Sequence, residues 1–400
     1  MRKYIAYYAK NFDYPLFFTY LFLCLFGLVM IYSSSMMVAI VYEDADPDYF
    51  YKKQLVNLLV SSIPFLVGAF LPYKHFSNKK LMVTMTFGMI FLLIWLWIFG
   101  VGFEQTGSKS WIDTGVMNIQ PSEVAKLFII LYFAGAFYRK SLNNPLENLQ
   151  PNNIVYPIIL WIFVIFCVAI EPDIGAVLIL SGIAFAVIAA SGMSFKSYLK
   201  FFSVFAILGV LLLIFIILVK GDDIFTDNRL GRIKAFLNPF EYEAGSGHQI
   251  INGYIAIGAG GLEGVGLGQS VQKLGYLPEP HNDFIMAIIA EELGVLGVIL
   301  VLAGLGFIVF RGLSIAMKTH DPLARMIAAG ISSWIAIQTF INIGGLSGLI
   351  PLTGVTLPFI SYGGSSIIML SLAMGILLNV SMYVKLESKK NRRGGNLEKN

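Results

Sequence analysis

Charge is scarce in this 400-residue chain: Asp, Glu, Lys and Arg make up 13% of it, hydrophobic residues 57%, and the mean hydropathy is +0.74. Soluble domains carry roughly 25% charged residues, so this composition excludes an ordinary soluble globule and indicates a chain embedded in lipid. Cysteine is nearly absent. Cys24 and Cys167 each sit inside an apolar run, which excludes a disulfide framework or a cysteine-held metal cluster. Four histidines without close spacing argue against a zinc site. There is no GxxxxGK[ST] loop, so ATP does not drive the protein, and no GxSxG elbow or paired Cys/His nucleophile. Charged residues precede the first apolar run, but no small-residue cleavage site follows it, so a removable signal is not expected.

What the chain has instead is long apolar runs, with 32 Phe and 39 Gly, as packed transmembrane helices require. Ten runs are long enough to cross about 30 Å of hydrocarbon. They cover 15–33, 55–72, 81–100, 122–138, 154–170, 173–190, 200–219, 284–310, 326–346 and 364–384. The expected fold is an all-α, polytopic integral membrane protein of ten transmembrane helices. With the N-terminus inside, inner segments and the tail collect nineteen Lys and Arg against eight outside, so both termini are placed in the cytoplasm. Residues 1–384 read as one transmembrane domain and 385–400 as a flexible basic tail. The large outer loop between the seventh and eighth spans, 220–282, shows no clear helix or strand pattern. It is too apolar for disorder, and is expected to lie on or dip into the membrane, shielded by protein.

In this topology the polar clusters gather on the outer face. Asp283 opens the eighth span, where water gives way to hydrocarbon and a carboxylate more often marks function than decoration. Glu123 and Lys126 share one face of the fourth helix, beyond Trp111 at the interface; the bland alternative is a self-neutralising pair. Glu171 and Asp173 flank Pro172 in a tight hairpin, where Asp173 could simply cap a helix. Glu291 and Glu292 lie one to two turns below Asp283 and could be partnered packing residues. Arg229, Arg232 and Lys234 form a cationic cluster suited to phosphate, from a substrate or from lipid head groups. His281 could be a ligand or a hydrogen-bonded loop residue. In the segment Pro351–Ser366, the hydroxyls of Ser361 and Ser365 could line a cavity or cap the tenth helix.

At these residues the chain resembles the SEDS family (shape, elongation, division and sporulation), the FtsW/RodA/SpoVE polytopic proteins. The stretches that carry the resemblance are GSKSWID…IQPSEVAK, EPDIGA, NRLGRIKAFLNPF, HQIINGYIAIGAGGLEGVGLGQS, KLGYLPEPHNDFIMAIIAEELG and LPFISYGGSS. They occur in family order and touch nearly all ten spans. YSSS after the first span and EPDIGA look closer to the division member than to the elongation member, and the elongation or sporulation member of the same family is the alternative. Ser110 stands directly before Trp111, where many members carry a basic residue, and Met286 replaces an aromatic. The resemblance implies a peptidoglycan glycosyltransferase that polymerises lipid II outside the bacterial cytoplasmic membrane, at the septum. Its implied partners are a class B penicillin-binding protein transpeptidase and other division proteins, with no nucleic acid.

On that reading Asp283 is the general base, which should contribute about 10²–10⁴-fold. Glu123, Lys126, Trp111, Asp173, Arg229, Arg232, His281, Ser361 and Ser365 would line the substrate cavity. Lys126 would hold Asp283 or meet a phosphate, with the fourth and eighth helices side by side. A divalent cation, Mg or Mn, bridging carboxylates and diphosphate is physically reasonable, although the sequence shows no ligand set for one. Two other classes remain open, a lipid II flippase and a scaffold that recruits the transpeptidase. A flippase would need polar groups along the whole path, whereas the middles of most spans are bare.

Overall fold

The computed structural model describes residues 10–102, 110–115, 118–142, 155–171, 173–200, 202–203, 206–207, 209–210, 231, 234–243, 245 and 247–397. The seventh expected span and the Arg229/Arg232 pair lie largely or wholly outside these residues. Among the described residues, seven helices are long and apolar enough to cross a membrane. They are α1 (Tyr14–Tyr42), α2 (Tyr49–Phe70), α3 (Lys79–Phe99), α4 (Pro121–Ser141), α8 (Ile285–Lys318), α9 (Pro322–Leu346) and α10 (Gly364–Leu397). Two shorter apolar helices, α5 (Val155–Ile170) and α6 (Ile174–Ala190), form the expected hairpin around residue 172. Together they account for nine of the ten expected spans.

The helix starts follow from local chemistry. Pro121 and Pro322 occupy first-turn positions, where a missing N–H costs nothing. Asn78, Asp173 and Asp321 cap α3, α6 and α9 by accepting backbone N–H bonds from Lys80, Ala176 and Leu323. Three features differ from the expected plan. A two-stranded antiparallel pair, β1 (Ile112–Asp113) and β2 (Asn118–Ile119), precedes α4, its turn fixed by the Gly115 N–H donating to Asp113 Oδ1 at 2.7 Å. The large loop contains a helix, α7 (His248–Gly260), which packs against α8 and buries Ile250, Ile251 and Ala256. Finally, α10 continues beyond the expected span end at 384 to Leu397.

Around these elements, α9 is central and packs against α4, α6, α8 and α10. By contrast α3 is peripheral and presents Phe87, Phe91 and Trp97 outward, as a lipid-facing helix should. At the cation-rich end, Asp13 ties three helices together. It accepts from Arg311 Nε at 3.1 Å and Ser381 Oγ at 2.7 Å, with Lys385 Nζ at 3.5 Å.

Helix α8 is broken at Gly294, whose φ of 65° and ψ of −161° are open mainly to glycine. The freed carbonyls of Glu291 and Glu292 accept instead from the N–H groups of Val265 and Gly266, at 2.9 and 3.0 Å. Irregular backbone at membrane depth survives only when protein satisfies it in this way.

A close backbone-to-backbone crossing joins α2 to α10. A Cβ at Gly375 would stand 2.2 Å from the Phe65 carbonyl oxygen, whereas one at Gly88 of α3 would meet nothing within 4 Å. Gly375→Ala should therefore destabilise the protein by about 1–3 kcal/mol, the usual range for overpacking. Gly88→Ala should leave stability unchanged or slightly raised. Thermal unfolding in detergent checks this, and equal midpoints for the two variants would contradict the crossing.

Candidate functional site

Glu123 and Lys126 lie one turn apart in the first turns of α4. Lys126 Nζ donates to Glu123 Oε1 at 2.7 Å and to Gln338 Oε1 of α9 at 3.2 Å, and stands 5.8 Å from the centre of the Trp334 ring. Both residues are buried, with 6% and 2% exposure, where α4 packs against α9. The second Glu123 oxygen is buried without a partner among the described residues. Gln338 is held rigidly. Its Oε1 also accepts from Trp334 Nε1 at 2.7 Å, and its Nε2 donates to the Thr356 carbonyl at 3.0 Å.

Asp173 joins this cluster from α6. One oxygen caps the helix; the other accepts from Gln120 Nε2 at 3.3 Å, just ahead of α4. Burial pushes the Asp173 carboxyl above its ordinary value, opposed by the Ala176 N–H and by Lys126. Burial, reinforced by Asp173, pushes Glu171 up to about 8. Two carboxylates thus face one lysine, and the described cluster is acidic rather than a cationic phosphate clamp.

Asp283 sits half-buried immediately before α8. Three successive backbone carbonyls around it are held by protein donors. The His281 carbonyl accepts from the Tyr362 N–H at 3.0 Å, that of Asn282 from Ser361 Oγ at 2.6 Å, and that of Asp283 from Asn342 Nδ2 at 2.8 Å. Tyr362 and Ser361 belong to a strap, residues 351–363, that runs from α9 to α10. Asn342 is on α9, one turn after Gln338, and its Nδ2 also donates to the Val355 carbonyl at 2.8 Å. The strap packs against the hairpin too, since a Cβ at Gly175 would come 2.4 Å from Val355 Cγ2.

Several expectations change in the structure. Helices α4 and α8 are not side by side: α9 lies against both, and the link from Lys126 to Asp283 runs through Gln338, Asn342 and the strap. Lys126 is engaged by Glu123 and Gln338, and no described contact joins it to Asp283. The Ser361 and Ser365 hydroxyls both fasten backbone. Ser361 accepts from Leu357 N–H while donating to Asn282, and Ser365 donates to Asn118 O at 2.6 Å while accepting from Gln120 N–H at 3.0 Å. His281 is packed 4.3 Å from the Phe50 ring centre and 5.6 Å from that of Tyr362, and its Nδ1 has no partner among the described residues. Trp111 is half-buried and bridged through its backbone to Val101, and no described contact joins it to Glu123 or Lys126.

Glu291 and Glu292 are partnered. Ser270 Oγ and the Val271 N–H, at 2.9 Å, donate to Glu291, while Lys273 Nζ at 2.6 Å and Ser33 Oγ at 2.7 Å donate to Glu292. This buried group ties the large loop to α1 and α8 below Asp283. The sequence reading missed Gln338, Asn342 and Lys273. Amide side chains spaced i, i+4 within the ninth apolar span were the available signal, because buried polar groups in a membrane need partners.

Among the described residues no group of three or more His, Cys, Asp or Glu side chains is placed to hold a metal ion.

Burial pushes His281 down to about 4 from its ordinary 6.5. Between those values the unfolded chain binds a proton that the folded chain refuses. The neutral ring's contribution is therefore complete above about pH 6.5 and is lost as pH falls towards 4, by up to about 3 kcal/mol. Glu171, raised from 4.5 to about 8, works in the opposite direction over an overlapping window, so the comparison must be with His281→Leu. Acid destabilisation between pH 6.5 and 4 should be weaker in that variant, as read by denaturant unfolding. An identical pH profile would contradict the burial of a neutral ring.

The cell cycle protein family (FtsW/RodA/SpoVE) matches residues 14–386. The chain is 43% identical over 389 residues to the probable peptidoglycan glycosyltransferase FtsW of Bacillus subtilis (strain 168), covering 96% of this chain and 94% of that one. It is 39% identical over 366 residues to stage V sporulation protein E of the same organism, covering 91% and 95%. Among solved structures, a chain from a peptidoglycan synthase complex that coordinates polymerization and crosslinking matches with a TM-score of 0.71 at 23% identity, over 93% of this chain and 98% of that one. The Thermus thermophilus rod shape determining protein RodA matches with a TM-score of 0.65 at 23% identity, over 92% and 96%. These last two likenesses establish a shared fold. With its helices, its strap and nearly its whole length matched, the chain belongs to the FtsW/RodA/SpoVE family, the SEDS proteins.

Proposed function

We propose that this protein is a peptidoglycan glycosyltransferase that polymerises lipid II into glycan strands on the outer face of the cytoplasmic membrane. We place it at the division septum, beside a class B penicillin-binding protein that cross-links the strands. The sequence identity to a division relative supports the reaction class. The observation that carries the site assignment is Asp283, a half-buried residue just before α8 whose own carbonyl and the two preceding ones are clamped.

In this reaction the 4-hydroxyl oxygen of an acceptor sugar attacks the anomeric carbon of a donor. The bond from that carbon to the diphosphate oxygen breaks, its electron pair leaves with the polyprenyl diphosphate, and the anomeric centre inverts. Asp283 takes the hydroxyl proton. Diphosphate is a good leaving group and needs charge neutralisation more than a proton. Because the Glu123–Lys126–Asp173 cluster is acidic, we assign that neutralisation to Arg229 and Arg232. The buried cluster instead sets the field beneath the strap and fixes where α4 stands.

Polymerisation of labelled lipid II by the purified protein with its transpeptidase tests the assignment. Asp283→Asn keeps shape but cannot accept the proton, so polymer should fall by about 10²–10⁴-fold with lipid II binding retained. Near-normal polymer from that variant would remove Asp283 from the chemistry.

Lys126→Met should impair both stability and activity, since it strands Glu123 as an uncompensated buried charge at a cost of about 3–5 kcal/mol. Adding Glu123→Gln should restore thermal stability but leave polymerisation low. Full recovery of polymerisation in the double variant would show that the pair serves only to neutralise itself.

A further inference from the structure

We infer that Asn342 and Gln338 are positioning residues that hold the Asp283 carboxylate and the Lys126–Glu123 pair in one register through the strap. The inference rests on the glycosyltransferase reading above. Both residues sit on α9, one turn apart, and both are buried. Each uses its amide NH₂ on adjacent strap carbonyls, Gln338 on Thr356 at 3.0 Å and Asn342 on Val355 at 2.8 Å. Each also reaches one half of the site: Gln338 accepts from Lys126 at 3.2 Å, and Asn342 donates to the Asp283 carbonyl at 2.8 Å.

The orientation of Asn342 is informative. Its NH₂ donates to two carbonyls, and this leaves Oδ1 buried without a partner among the described residues. The reverse orientation would set an oxygen against both carbonyls. The residue is therefore placed for its two donations, one of which ends on the reacting residue's own backbone. Asn342 reaches Asp283 through its backbone carbonyl and Gln338 reaches the site through Lys126, so each acts through another group.

The test measures initial polymerisation rates against lipid II concentration, using the full-length protein with its partner transpeptidase. Lipid II binding and thermal midpoints are recorded alongside. Asn342→Leu removes both donations, and kcat should fall by about 10²-fold, as expected when a reacting group is misplaced by about 1 Å. KM should stay within about twofold, because ground-state contacts are kept. Gln338→Glu keeps the acceptor for Lys126 and Trp334 but loses the donor to Thr356. It should show a smaller kcat loss in the same direction, and it carries the test if Asn342→Leu fails to fold. Wild-type kcat in either folded variant, or a raised KM with kcat unchanged, overturns the inference. If the wild-type protein makes no polymer, the glycosyltransferase reading falls and this inference with it. If the wild type polymerises, Asp283→Asn does not and Asn342→Leu behaves as wild type, only the positioning role is lost.

Discussion

Hydrocarbon offers no hydrogen bonds, so every irregular stretch of backbone in this protein must be satisfied by the protein itself. The region around Asp283 meets that demand with three consecutive carbonyls, each given a donor from the strap or from α9. A loop left to water would wander. This one is fixed because its polar groups have nowhere else to go, and the fixing places the half-buried Asp283 at the entrance of α8. The same requirement explains why α9, central in the bundle, carries two amide side chains that a purely apolar helix would not need.

The large loop obeys the same rule where it meets α8 at Gly294. The break at Gly294 releases carbonyls from α8, and the loop after α7 supplies the N–H groups that replace the lost helical bonds. Lys273, Ser33 and Glu292 then form a buried charge group that anchors the loop to α1. Asn252 of α7 adds a donation to the Tyr276 carbonyl at 2.8 Å. The loop expected to be shielded by protein is held by named bonds, and the polypeptide leading into Asp283 inherits that rigidity.

Much of this was legible from residue order. The helix limits follow from apolar length together with Pro121, Asp173 and Pro322, so the described helices fall within a few residues of the expected spans apart from the longer α1, α2, α8 and α10. The Glu123–Lys126 pairing was readable because i, i+3 spacing is local. What the sequence could not convey was which helices are neighbours. That is decided by close approaches such as Gly375 on Phe65 and Gly175 on Val355, which no periodicity announces. For that reason the fourth and eighth helices were expected side by side, and α9 stands between them. His281, Ser361 and Ser365 are polar residues near the site whose roles were underdetermined by type alone. The structure turns the first into a packed neutral ring and the other two into backbone fasteners.

The account depends on the strap being locked onto the segment before α8 in the resting protein. Amide hydrogen exchange at Tyr362, whose N–H donates to the His281 carbonyl, reads that lock directly. Protection comparable to the interior of α9, lost only on global opening, is the result the account predicts. Exchange as fast as in a surface loop would show that the strap is free, and that Asp283 is held by something else.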